Sequence, residues 1–249
     1  MITNRIKKSV STFSVKLDFD TDIRFDDKSA PPAHSLFCPL HYEKNYAYPL
    51  VVWLHENGSS HRQTPQMMQK ISMRNYVGIG PNASQAEQAG GGQWQQTPQS
   101  ILETENSISR CIGIACEKYH IDRSRIFIAG AGAGGTMAFR VGLNHPDWFA
   151  GVLSIGGPMS LVQTPLAGFK QSRKLNCFVS QARDSQQFSV DELCDQLRLM
   201  YASGFDVTVR QYPGAEDLTD QVLRDMNVWI MEQVTGQTSA SKSLKLPSN

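Results

Sequence analysis

Short apolar, β-branched runs alternate along this chain with longer segments of helical period. That alternation points to a mostly parallel sheet covered by helices on both faces. Strands buried on both sides read as unbroken apolar runs, and Tyr48–His55 (YPLVVWLH) and Tyr76–Gly80 (YVGIG) have this form. Met67–Asn75 between them supplies a crossover helix. Ile101, Ile108, Cys111, Ile112 and Ala115 fall on one stripe of a long amphipathic helix over Ile101–Tyr119. Arg125–Ala129 reads as a central strand running into Gly130–Gly135, and Thr136–Asn144 as a helix stopped by His145 and Pro146. Strands follow at Phe149–Ile155, Leu175–Ser180 and Asp206–Tyr212, with helices at Val190–Ser203 and Thr219–Val234. Val10–Leu17 and Ser35–Leu40 have no helical pattern between them, so they are expected to pair antiparallel at one edge of the sheet.

With 249 residues, the chain suits one sizeable core. Residues 1–235 are expected to form a single domain, and the polar, small-residue stretch 236–249 a frayed tail. Basic residues number 24 and acidic residues 23, which leaves no surplus to neutralise a nucleic-acid backbone. A small molecule, an acyl ligand or another protein is the expected partner; oligomeric state is not legible. Five cysteines without a Cys-x-x-Cys pair read as buried thiols in a reducing compartment. No signal-like or membrane-spanning apolar run occurs, so a cytoplasmic location is expected, with no metal and no cofactor.

Several residues invite a chemical reading. Gly130–Gly135 fits Gly-x-Gly-x-x-Gly, but a dinucleotide site places this turn after its first strand with an acid ending the next one, and here the next strand ends in Ile155, Gly156 and Gly157. A tight strand-to-helix turn, or helix N–H groups able to receive a small anion or nucleotide, are the competing readings. His55 closes a buried strand, as structural histidines do. His61 and Glu56 lie in one loop, without the spacing of a metal pair. Trp94 walls a pocket or packs on the domain. Ser154 lacks a sharp turn and an imidazole and reads as structural.

Three stretches carry a family resemblance. YPLVVWLHENGSS is similar to the strand ending in Leu-His-Gly-x-Gly before the oxyanion loop of phospholipase/carboxylesterase and dienelactone-hydrolase proteins. IDRSRIFIAGAGAGGTMAFRVGLNHPDWFAGVLSIGG resembles their nucleophile-elbow segment, with its Gly-x-Ser-x-Gly-Gly turn. FDVTVRQYPGAEDL resembles their last strand, which ends in Tyr-x-Gly before the catalytic His. The resemblance covers about Pro49–Val234. It implies an α/β-hydrolase fold, three layers α/β/α, with a mostly parallel sheet and antiparallel N-terminal edge strands.

The same alignment implies a degenerate triad. Gly132 stands where the nucleophilic Ser belongs, Asp184 takes the acid position, and the imidazole position falls on Glu216, the preferred alignment, or Asp217. No histidine follows His145, and glycine carries no attacking atom. His55, Glu56, Asn57 and Gly58 replace His-Gly-x-Gly, which sets a carboxylate beside the oxyanion donors implied at Asn57 and Ala133. The resemblance thus favours an esterase-like protein that acts by binding or regulation. An ester hydrolase using a carboxylate-activated water, and an anion or nucleotide binder at Gly130–Gly135, are the alternatives.

Overall fold

The computed structural model describes residues 31–86, 91–159 and 173–236. Its main sheet has seven strands: β1 (His34–Phe37), β2 (Tyr48–Leu54), β3 (Val77–Pro81), β6 (Ile121–Ala131), β7 (Gly151–Ile155), β8 (Asn176–Ala182) and β9 (Val207–Tyr212). Their spatial order is β1-β3-β2-β6-β7-β8-β9. Every pairing is parallel except β1 with β3, where His34 lies opposite Pro81 and Phe37 opposite Gly78. The expected edge strand Ser35–Leu40 therefore exists in shorter form and pairs with β3. Val10–Leu17 lies outside the described residues, as do 237–249. Within the predicted loop Pro81–Thr97, β4 (Gln85–Ala86) and β5 (Gly92–Gln93) form a small antiparallel pair.

Among the described residues five helices connect the strands: α1 (Gln63–Ile71), α2 (Pro98–Lys118), α3 (Ala133–Asn144), α4 (Val190–Ala202) and α5 (Asp220–Thr235). Their ends follow local chemistry. Thr97 caps α2 by accepting from the Ser100 N–H at 3.2 Å, with Pro98 at the first position, where its missing N–H costs nothing. Ser189 and Thr219 cap α4 and α5 in the same way, and Gly236 in the left-handed conformation closes α5.

Three helix starts differ from the sequence reading, α2 beginning at Pro98 in place of Ile101 because Thr97 caps it. α1 begins at Gln63, four residues before Met67, because Pro65 in its first turn is tolerated there. α3 begins at Ala133, where the low helix propensity of Gly134 and Gly135 is overridden by packing that only glycine permits.

Side-chain alternation splits the core into two faces. Val51, Trp53, Phe127, Ala129, Leu153 and Ile155 face the layer built by Met67, Met68 and Ile71 of α1 and Val222, Met226, Trp229 and Ile230 of α5. The alternate positions, Leu50, Val52, Leu54, Ile126, Ile128 and Val152, are also buried, on the side covered by α2 and α3. Each such side chain contributes about 1.5–3 kcal/mol on burial. Function depends on one consequence of the strand order. From β2 the chain moves outward to β3 on one side, then returns to β6 on the other side of β2. The carboxyl ends of β2 and β6 thus form a topological switch point, where crevices open in such sheets.

Candidate functional site at the β2–β6 switch point

In the parallel register Leu54 lies opposite Gly130, so the loop after β2 and the turn after β6 stand side by side. Gly132 adopts φ 54° and ψ −124°, a conformation disfavoured for residues with a side chain. Its N–H donates to the Ile155 carbonyl at 2.8 Å, and its carbonyl accepts from the Thr136 N–H at 3.1 Å. This is the backbone of a sharp strand-to-helix turn with no side chain at its apex. A Cβ built on Gly132 would meet only the Gln187 Oε1, at 3.8 Å, so the space for a side chain remains open. Gly134 is the opposite case. A Cβ there would collide with the backbone oxygens of Leu54 and His55. Gly130, Gly134 and Gly135 pack against the protein itself, and only Gly132 opens outward, which gives little support to a dinucleotide cradle.

The loop after β2 is held by His55, which is fully buried. Its Nδ1 lies 2.7 Å from the Glu56 carbonyl, and its Nε2 accepts from the Ala83 N–H at 3.1 Å. Burial lowers its pKa, and the bond to the Glu56 carbonyl offsets only part of that. With both ring nitrogens engaged by backbone, His55 offers none to a ligand. Trp94 is buried as well; its indole N–H donates to the His55 carbonyl at 2.7 Å, and its backbone N–H to Asn57 Oδ1 at 3.1 Å. Of its two sequence readings the packed one is realised.

Glu56 is fixed by a residue the sequence reading did not single out. Gln63 Nε2 donates to Glu56 Oε2 at 3.1 Å, while Gln63 Oε1 accepts from the Trp53 indole at 3.0 Å. The Glu56 carboxylate is therefore aimed, not floating. Glu56, Asn57, Gly58, Ser59, Gln63, Gly132, Ala133 and Gln187 line a cleft of about 690 Å³. The N–H groups of Asn57 and Ala133 have no protein acceptor among the described residues. Gln187 was also absent from the sequence reading; the only signal for it was its place three residues after Asp184.

The two carboxylate loops behave differently from that reading. Asp184 is exposed and pairs with Arg183 at 3.2 Å; the neighbouring guanidinium holds its pKa low. Glu216 is exposed, whereas Asp217 turns inward. Asp217 Oδ1 accepts from the Ala182 N–H at 2.7 Å and Oδ2 from the Ser185 hydroxyl at 2.7 Å. Its side chain fills the space that a Cβ on Gly156 would need. Of the two candidates for the imidazole position, the inward one is Asp217. Both of its oxygens are engaged, and neither it, Asp184 nor Glu216 lines the cleft.

None of the histidines lines the cleft either. His34 bonds the Pro32 carbonyl, His120 the Lys44 carbonyl, and His145 stacks on Trp148 at 3.9 Å. One hydroxyl does meet a histidine: Ser35 Oγ lies 2.8 Å from His61 Nδ1. Ser35 sits on β1 opposite Gly80, near the carboxyl end of β3. No carboxylate orients this ring among the described residues, no strained turn presents the serine, and neither residue lines the cleft. The pair joins β1 to the loop before α1. His61 and Glu56 do not pair, and Ser154, fully buried, donates to the Gly157 carbonyl at 2.9 Å. Among the described residues no helix is long and apolar enough to cross a membrane.

No family model matches the chain. A stretch of 39 residues is 44% identical to NocK of Nocardia uniformis subsp. tsuyamanensis, a protein carrying an esterase name; it spans 16% of this chain and 11% of that protein. Solved structures agree over far more of the molecule. The Bacillus cereus carboxylesterase superposes with TM-score 0.66 at 13% identity, covering 82% of this chain and 95% of that one. A ferulic acid esterase gives 0.66 at 18% identity, covering 80% and 92%. Arabidopsis thaliana SOBER1 gives 0.62 at 17%, covering 76% and 100%. With this strand order and this elbow, the likeness establishes that the chain has the α/β-hydrolase fold, in the form found in carboxylesterases.

Proposed function

We propose that this protein is a catalytically degenerate esterase-fold protein that acts by binding a small molecule in the cleft above the elbow. The observation that carries the reading is Gly132: the turn holds the strained φ/ψ of an elbow, but its Cβ position opens into empty space. Acyl transfer by this fold needs an oxygen nucleophile with an imidazole in hydrogen-bond reach. The cleft lining supplies no such pair, since its one hydroxyl, Ser59, has no histidine bonded to it among the described residues.

A carboxylate-activated water finds less support. Asp217 has both oxygens bonded, and Asp184 and Glu216 face solvent. An anion site at the turn is opposed by Glu56, a carboxylate that lines the same cleft with no cation in the lining to offset it.

The test is hydrolysis of p-nitrophenyl acetate and butyrate by the purified chain. The expected rate equals that of buffer containing an inert protein. Saturable turnover would overturn the reading, and its loss in Ser35→Ala or Asp217→Asn would name the residue responsible.

A further inference from the structure

We infer that the cleft takes a neutral, hydroxyl-rich ligand, a carbohydrate or an acyclic polyol, with one ligand hydroxyl standing where the nucleophile's oxygen would be. The inference rests on the binding reading above and names its ligand class. It comes from the unspent hydrogen-bonding capacity of the lining. Glu56 Oε2 is tied to Gln63, while Oε1 has no partner among the described residues. Asn57 uses its Oδ1 on Trp94 and keeps its amide N–H groups. The Gln187 side-chain amide, the Ser59 hydroxyl and the Ala133 N–H also lack protein partners among the described residues. The surface is thus a mixture of donors and acceptors, and a hydroxyl is the ligand group that serves both at once.

Charge and shape disfavour anionic and acyl ligands, and the open Gly132 position with its amide neighbours favours a hydroxyl over a cation. The single ionisable lining residue is Glu56, and no lysine, arginine or histidine lines the cleft among the described residues. A phosphate or carboxylate would meet one negative charge and no compensating cation. An acyl chain would find no apolar wall, since Gly58, Gly132 and Ala133 are the only non-polar contributors, and acyl sites are built from larger apolar side chains. A hydroxyl placed above Gly132 fits the open space and lies within reach of the Gln187 amide, whose Oε1 stands 3.8 Å from the Cβ position. Glu56, fixed through Gln63, then accepts from ligand hydroxyls as a charged acceptor, the stronger kind of hydrogen bond.

The experiment is ligand-observed NMR and calorimetry on the whole chain with cellobiose and xylobiose as ring probes and sorbitol as the acyclic probe. Inorganic phosphate, butyrate and choline serve as the anionic, acyl and cationic arms. Millimolar binding of a disaccharide or of sorbitol is expected, the stronger of the two naming the source. Glu56→Gln should weaken it about tenfold or more, as expected for loss of a charged acceptor. Gln187→Ala, a change at an exposed position that leaves the fold intact, should weaken it severalfold. No sugar or polyol binding at millimolar concentration overturns the inference, and so does binding that both variants leave unchanged. Binding of phosphate, butyrate or choline in place of the hydroxylated probes overturns it too, while leaving the binding reading intact; ester turnover instead removes the binding reading itself.

Discussion

The turn after β6 and the two loops after β8 and β9 are held in different ways. At the turn the hold is by backbone, with no side chain at the apex. Gly132 keeps its strained dihedrals, its bond to Ile155 and its bond from Thr136. In the loops side chains make the contacts: Asp217 ties the 182–185 segment to the end of β9, and Asp184 pairs with Arg183 in solvent. The difference follows from what holds each part. The turn is fixed by backbone packing that excludes any Cβ at Gly134, so its shape does not depend on a nucleophile. A loop carboxylate is held by its own hydrogen bonds, so the position of these loops depends on the side chains they carry.

That contrast can be broken by substitution. The largest effect is expected at Gly134→Ala, where the new methyl meets the Leu54 and His55 carbonyl oxygens; about 3 kcal/mol of stability should be lost, the upper end for overpacking, read by urea unfolding. Asp217→Ala leaves the Ala182 N–H and Ser185 hydroxyl without their acceptor and should cost about 2 kcal/mol by the same measurement. Gly132→Ser, in contrast, enters open space and should cost only about 1 kcal/mol, the low end of the strain carried by a residue at positive φ. A loss at Gly132→Ser as large as at Gly134→Ala would erase the distinction between a filled and an empty position.

Acid provides a gentler probe of the loop before α1. His55 and His61 both have pKa values lowered by burial, with a further lowering at His61 from Arg62 and His34. Their neutral forms are favoured in the folded state, so their contribution is present above the ordinary histidine value of 6.5 and is lost as pH falls through the lowered folded values. The urea midpoint should drop between pH 7 and pH 5, and less so in His61→Asn. A midpoint that rises on acidification would contradict the neutral, bonded state of these rings.

Much of the scaffold was legible because buried parallel strands write themselves as apolar runs; Tyr48–Leu54 and the strand into Gly130 are examples. Gly132 was legible as the apex of a tight strand-to-helix turn because an apolar strand runs into it and a small-residue helix follows. The choice between Glu216 and Asp217 was not. It depends on the Ala182 N–H, the Ser185 hydroxyl and the space over Gly156, which come together only in the folded chain. Gln63 and Gln187 were illegible for the same reason, since glutamine in a polar loop carries no pattern until something faces it.

The central proposal is that the turn at Gly132 has the backbone of an elbow and supports no acyl transfer. Intact mass spectrometry after exposure to a fluorophosphonate tests it most directly: the native chain should show no phosphonyl adduct. An adduct mapped by peptide sequencing to Ser35, Ser59, Ser185 or any other serine would contradict the account.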